Sequence, residues 1–92
     1  MMNKTVKEII EEIKNDTEFD GYKIRVLSMN IELNWEGKLE KIDEIRIASG
    51  EMSEEQIEKL KNRKIRTAER ILSRKCYEMY ISKDKKDIRL FV

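Results

Sequence analysis

The 92-residue sequence predicts an α+β fold in one domain, residues 1–92: an antiparallel sheet of about five strands with two helices packed on one face. Two observations lead there. Two capping signatures, Thr5 with Glu8 and Ser53 with Gln56, each open a run of apolar residues at helical spacing. Alternating apolar residues fill the stretch between the two runs, and again the C-terminus. The resulting order is helix, three strands, helix, two strands, and a single layer of helices on the sheet buries every apolar face at once.

In the first helix Val6, Ile9, Ile10 and Ile13 share one side while Glu8, Glu11 and Glu12 point away. Asn15 and Asp16 compete for backbone hydrogen bonds and stop it. Phe19 is expected as a core plug in the loop, and Asp20-Gly21 turns the chain into a strand. Tyr22, Ile24 and Val26 alternate; Met29, Ile31, Leu33 and Trp35 then alternate in the opposite phase. A turn or bulge around Leu27-Ser28 accounts for the slip and divides the stretch into two strands. Gly37, in Glu36-Gly37-Lys38, supplies the next turn, and residues 39–48 read as a third strand, clearest at Ile45 and Ile47, with Ile42 out of phase. The second helix runs from Ser53 to about Lys75, its first turns carrying Glu54, Glu55 and Glu58 against the helix dipole. Residues 77–82 and 87–92 form a hairpin around Lys83-Asp84-Lys85-Lys86.

Composition narrows the function classes. The chain is 39% hydrophobic and 42% charged, so a thin core carries a heavily charged surface, and association is a natural source of extra stability. There is no apolar run long enough to cross a membrane, and no signal peptide is visible where Lys4 and Lys7 alternate with glutamates. A cytoplasmic protein is the expectation. The absence of histidine removes the commonest general base and metal ligand. Cys76, the one cysteine, forms no intramolecular disulfide and is read as a small hydrophobe. Net charge is +1, but residues 1–55 carry 8 basic and 14 acidic side chains, hence −6, and residues 56–92 carry 12 and 5, hence +7. Such asymmetry suits an anionic partner for one half, or a homodimer in which opposite halves meet.

The second helix concentrates the positive charge. At 100° per residue, Ile57, Leu60, Ile65, Ala68, Ile71 and Leu72 make its apolar face. Lys59, Arg63, Arg66, Arg70 and Arg74 fall opposite, on an arc of about 80° and a ridge about 22 Å long. Cations three and four apart repel, and a purely structural surface interleaves acids with them. Arginine's planar fork matches phosphate, so a polyanion, nucleic acid first, is the expected partner; an acidic protein surface is the next. A solvated face, with cations suiting the C-terminal end of the dipole, is the plainer alternative. Lys61 and Lys64 lie on the apolar side by phase, either snorkelling at the sheet margin or widening the cationic surface.

The helix–three-strand–helix order is similar to that of double-stranded-RNA-binding domains, which also offer lysines near the start of the second helix to phosphate. The similarity is one of element order and basic character. The histidine-bearing loop is missing and the C-terminal hairpin is additional, so no residue role is transferred.

The remaining chemistry is sparse, so no cofactor, metal or catalytic residue is assigned. Tyr77 shares a strand face with Met79 and Ile81 and is expected in the core, whereas Tyr80 faces outward; Trp35 is expected as a core lid. Glu36-Gly37-Lys38, with Asp20 upstream, matches the E-x-K tail of metal-dependent nucleases, a third reading that needs convergent carboxylates. The acidic residues Glu8, Glu11, Glu12, Asp16 and Glu18 would let the chain imitate nucleic acid, as an inhibitor protein of a phage or mobile element would. The apolar run Ile88–Val92 requires either a central position in the sheet or a second copy to pair with.

Overall fold

The computed structural model describes residues 3–92. Helix α1 (Val6–Lys14) begins as its sequence dictates. Glu8 N–H donates to Thr5 Oγ1 at 3.2 Å, and the Glu8 carboxylate accepts from Thr5 N–H at 3.1 Å. Val6, Ile9, Ile10 and Ile13 are all buried. A 3-10 turn (Thr17–Phe19) follows, and the half-buried Phe19 packs against the core with its ring edge-on to Tyr22. Strand β1 (Lys23–Ser28) and strand β2 (Ile31–Leu33) form an antiparallel hairpin. Its turn is Met29-Asn30, two residues later than expected, and both residues take positive φ, 49° and 67°. That pair of dihedrals matches the right-handed twist of the flanking strands. Met29, in the turn, and Ile31, at the start of β2 beside it, are both exposed.

The expected third strand is a helix, α2 (Lys41–Ala48). Leu39, Ile42 and Ile45 recur every three residues, a helical spacing, which is why Ile42 falls out of phase with a strand. Asp43 accepts the Glu40 N–H at 2.9 Å and fixes the first turn. With a helix in that place, the chain departs from the element order of double-stranded-RNA-binding domains. Helix α3 (Glu54–Leu72) has the expected capping box, Gln56 N–H to Ser53 Oγ at 3.2 Å and Ser53 N–H to Gln56 Oε1 at 2.9 Å. It ends at Leu72, short of Lys75. At about 1.5 Å per residue it is roughly 28 Å long, in a molecule that measures 44 × 26 × 26 Å.

Strands β3 (Glu78–Ser82) and β4 (Asp87–Phe91) form the expected antiparallel hairpin. The sheet, however, has four strands among the described residues, in the order β2-β1-β4-β3, and it is mixed. β1 and β4 run parallel at its centre, Ile24 opposite Ile88 and Val26 opposite Leu90. Two hairpins meet with their first and last strands pointing the same way, so no single antiparallel meander exists. The run Ile88–Val92 thus takes the central position, with Ile88 and Leu90 fully buried.

One core cluster joins α1, Val26, Ile88, Leu90, Ile71 of α3 and Cys76. Backbone bonds from Val6 N–H to Arg74 O (2.9 Å) and from Cys76 N–H to Lys4 O (3.1 Å) tie the end of α3 to the start of α1. The opposite sheet face contributes nothing to that cluster. By register its rows are Leu27–Phe91–Glu78, Arg25–Arg89–Tyr80 and Lys23–Asp87–Ser82.

Candidate polyanion interface

Helix α3 carries the candidate site, and two contacts set its direction. Its C-terminal part is anchored in the core by Ile71. Farther along, the loop before α2 presses Gly37 against Ala68, with Gly37 at φ +69°. A Cβ on Gly37 would stand 3.2 Å from Ala68 Cβ and 3.3 Å from both Ile65 Cα and Lys64 O, so this close approach requires glycine. Leu60, Ala68 and Ile71 are buried and Ile57 and Leu72 half-buried, as their phase predicts; Ile65 stands exposed.

Arg63, Arg66, Arg70 and Arg74 are exposed, and among the described residues no carboxylate lies within 4 Å of any of them. Lys61 is exposed and likewise unpaired among those residues. Lys59 differs, because its Nζ lies 3.4 Å from Glu55 one turn back. Arg74 also sits beyond the helix end, where its carbonyl receives Val6 N–H. The helical ridge itself is therefore Lys59, Arg63, Arg66 and Arg70, about 16 Å long at the α-helical rise.

Lys64 is not part of this surface. Its Nζ lies 3.1 Å from Asp43 Oδ2 and 3.2 Å from Glu40 Oε2, so it clamps α3 to the start of α2. The Glu40 N–H and then the Lys64 ammonium hold the Asp43 carboxyl below its ordinary value. Asp43, against the partial burial that opposes it, and then Glu40 hold Lys64 above its own. Arg46 is a cation that sequence reasoning missed: with Lys59, Arg63 and Leu60 it borders a hollow of about 230 Å³ between α2 and α3. Its partner Glu51 is distant, at 3.8 Å.

The other features of interest are placed elsewhere. Trp35 is half-buried, packs on the core, and donates Nε1–H to Ile24 O at 3.2 Å. It borders an open cavity of about 610 Å³ in which Lys14, Lys23 and Lys38 alternate with Glu32, Glu36 and Glu40. The Lys38 and Glu36 side chains of the E-x-K triplet pair with each other at 2.9 Å. Among the described residues no three histidine, cysteine or acidic side chains converge as a metal-ligand set. No helix of the described residues is long and apolar enough to cross a membrane. No protein-family model, curated protein or solved structure matches the chain.

Proposed function

We propose that this protein is a small non-enzymatic module that engages a polyanion, nucleic acid before others, through Arg63, Arg66, Arg70 and Arg74, with Lys59 and Lys61 at the margin. The observation that supports this reading is four exposed guanidinium groups lacking a carboxylate partner among the described residues, three of them along one rigid helix. Unneutralised cations at such spacing repel one another, by about 0.2–0.5 kcal/mol per neighbouring pair, and a row of phosphates relieves that repulsion. Contacts to phosphate position a nucleic acid without reading its sequence, so weak sequence preference and strong salt dependence follow.

The test is fluorescence anisotropy on a labelled duplex. Four phosphate contacts give a log–log salt slope of about −3.6 and roughly a hundredfold loss between 50 and 200 mM salt. Arg66→Glu with Arg70→Glu is expected to weaken binding at least tenfold and to flatten the slope by about 2. Binding that ignores both the salt and the double substitution refutes the reading.

A protein partner, a second copy of this chain included, is the second reading. The observation favouring it is that Ile42 and Ile45 stand exposed on α2, three residues apart on one side. Ile42→Glu with Ile45→Glu abolishes such an association in sedimentation equilibrium, while the arginine substitutions leave it intact.

A further inference from the structure

The open face of the sheet combines two chemistries that the helix ridge lacks. The first is aromatic. Tyr80 is 53% exposed on this face, and Tyr77, expected in the core, is 59% exposed with its ring 6.4 Å from that of Phe91. The strand begins only at Glu78, so the alternation that would have buried Tyr77 does not reach it. The second is cationic. Arg25 and Arg89 are register partners on the two central strands and share the buried carboxylate of Asp87. Arg89 Nε donates to Asp87 Oδ2 at 3.1 Å, and Arg25 Nε lies 3.4 Å from Oδ1. One carboxylate therefore sits between two guanidinium groups, hydrogen-bonded to Arg89 and ion-paired without a hydrogen bond to Arg25. It neutralises one charge, and the Nε contacts leave Nη groups to serve another acceptor. The Arg89 guanidinium also lies 5.7 Å from the Tyr80 ring centre.

Charge is graded along this face. Glu32 and Glu78 stand at the edges of the row holding Leu27 and Phe91. Lys23, Arg25 and Arg89 occupy the other rows, next to the turn bearing Lys83, Lys85 and Lys86, against Asp84 and Asp87; Lys83 is partly taken up by Glu18 at 3.6 Å. Rings beside cations that retain free donors suit an unpaired base stacked next to its own phosphate. An acidic protein would match the arginines and leave the rings uncovered; a duplex would meet the phosphate donors and offer the rings no base.

We infer that the open sheet face is a second binding surface, on which Tyr77 and Tyr80 stack unpaired bases of a single-stranded nucleic acid while Arg25 and Arg89 hold its phosphates. The inference extends the nucleic-acid reading of the chain but stands on residues separate from α3, so the two fail separately.

The experiment compares anisotropy of the full chain on a labelled 15-nucleotide oligothymidine and on a duplex of equal length. Tyr80→Leu, which removes the ring and keeps bulk, is expected to weaken the single strand fivefold or more, leaving the duplex affinity and both salt slopes unchanged. Tyr80→Phe is expected to retain wild-type affinity for both, and Tyr77→Leu to behave like Tyr80→Leu. Circular dichroism establishes that each variant is folded, and Tyr80→Phe carries the comparison if either leucine variant is not: a tenfold loss with that ring still present overturns the inference. It is equally overturned if oligothymidine does not bind, if the leucine variants affect both ligands alike or neither, or if they dissolve a dimer seen in sedimentation equilibrium. Failure of the helix reading has another signature, duplex binding that survives Arg66→Glu with Arg70→Glu.

Discussion

Replacing Gly37 by alanine tests the contact that holds α3 against the loop before α2. Two penalties combine. The left-handed backbone at φ +69° costs a residue with a Cβ about 1–2 kcal/mol. The added methyl meets Ala68 Cβ at 3.2 Å and two backbone atoms, Ile65 Cα and Lys64 O, at 3.3 Å. The overlap is only a few tenths of an ångström, so although backbone does not swing aside as a side-chain tip does, the overpacking cost is about 1–2 kcal/mol, the lower part of the usual range. Against these, alanine restricts the unfolded chain and returns about 0.4–1 kcal/mol. The net expectation is a loss of about 2–3 kcal/mol. Gly21→Ala is the control, because Gly21 also has positive φ, +79°, but open space where its Cβ would go. It should cost about 1 kcal/mol or less, since only the backbone penalty and the unfolded-state gain apply. Urea denaturation followed by circular dichroism reads the difference. With a slope of about 1–3 kcal/mol per M, the Gly37 variant should unfold roughly 0.5–1.5 M earlier than the Gly21 variant. Coincident midpoints would refute the claim that the loop is pressed on the helix.

Other expectations follow from single sites. Asp43 has its carboxyl lowered from the 3.8 of an unperturbed group by the Glu40 N–H and Lys64, so its contribution to stability is present above about pH 4 and is lost as pH falls through its native value. In acid denaturation Asp43→Asn should therefore be less stable than the parent at pH 7, with a shallower decline below pH 4. Lys64 has the opposite sign: raised from 10.5, it contributes below that pH and ceases to contribute as pH rises through its native value. Cys76 is fully buried, its Sγ 3.0 Å from Glu78 O, so a thiol-alkylating reagent should label it at the rate of unfolding, and in denaturant at once.

The legible parts of this fold were the parts specified by neighbours in sequence. Thr5 with Glu8 and Ser53 with Gln56 marked both long helices, because a cap is satisfied within three residues. Ile88 to Val92, nearly all apolar, announced a strand that is not left at an edge, and β4 is central. Only its Ile88–Leu90 side meets the core, however, while Arg89 and Phe91 lie on the open face. Residues 39–48 deceived for a physical reason: α2 buries no apolar residue fully, its one buried side chain being Asp43, so its isoleucines trace no core. The Met29-Asn30 turn has no glycine to mark its two positive φ angles. The parallel pairing of β1 with β4 joins residues more than sixty apart, which periodicity does not record. In the candidate site the exposed arginines followed from helical phase alone. Lys64 did not, because the carboxylates that claim it, Glu40 and Asp43, sit on an element the sequence had cast as a strand.

The same topology alters the meaning of the charge asymmetry. Read linearly, −6 followed by +7 suggests two poles, and hence a dimer in which opposite halves meet. Folded, the halves interleave: β1 of the acidic half lies along β4 of the basic half, and their register sets Lys23 beside Asp87 and Arg25 beside Arg89. Acids of the first half are also consumed inside the molecule, Glu40 and Asp43 by Lys64 and Glu12 by Lys4. The excess of one sign therefore gathers where no pairing across the halves reaches, at Arg63, Arg66 and Arg70 on the outer side of α3. Charge alone consequently favours a foreign polyanion over a second copy, and self-association rests on Ile42 and Ile45 instead. Salt separates these two forces, since added salt releases a phosphate backbone from arginines and leaves an isoleucine contact in place.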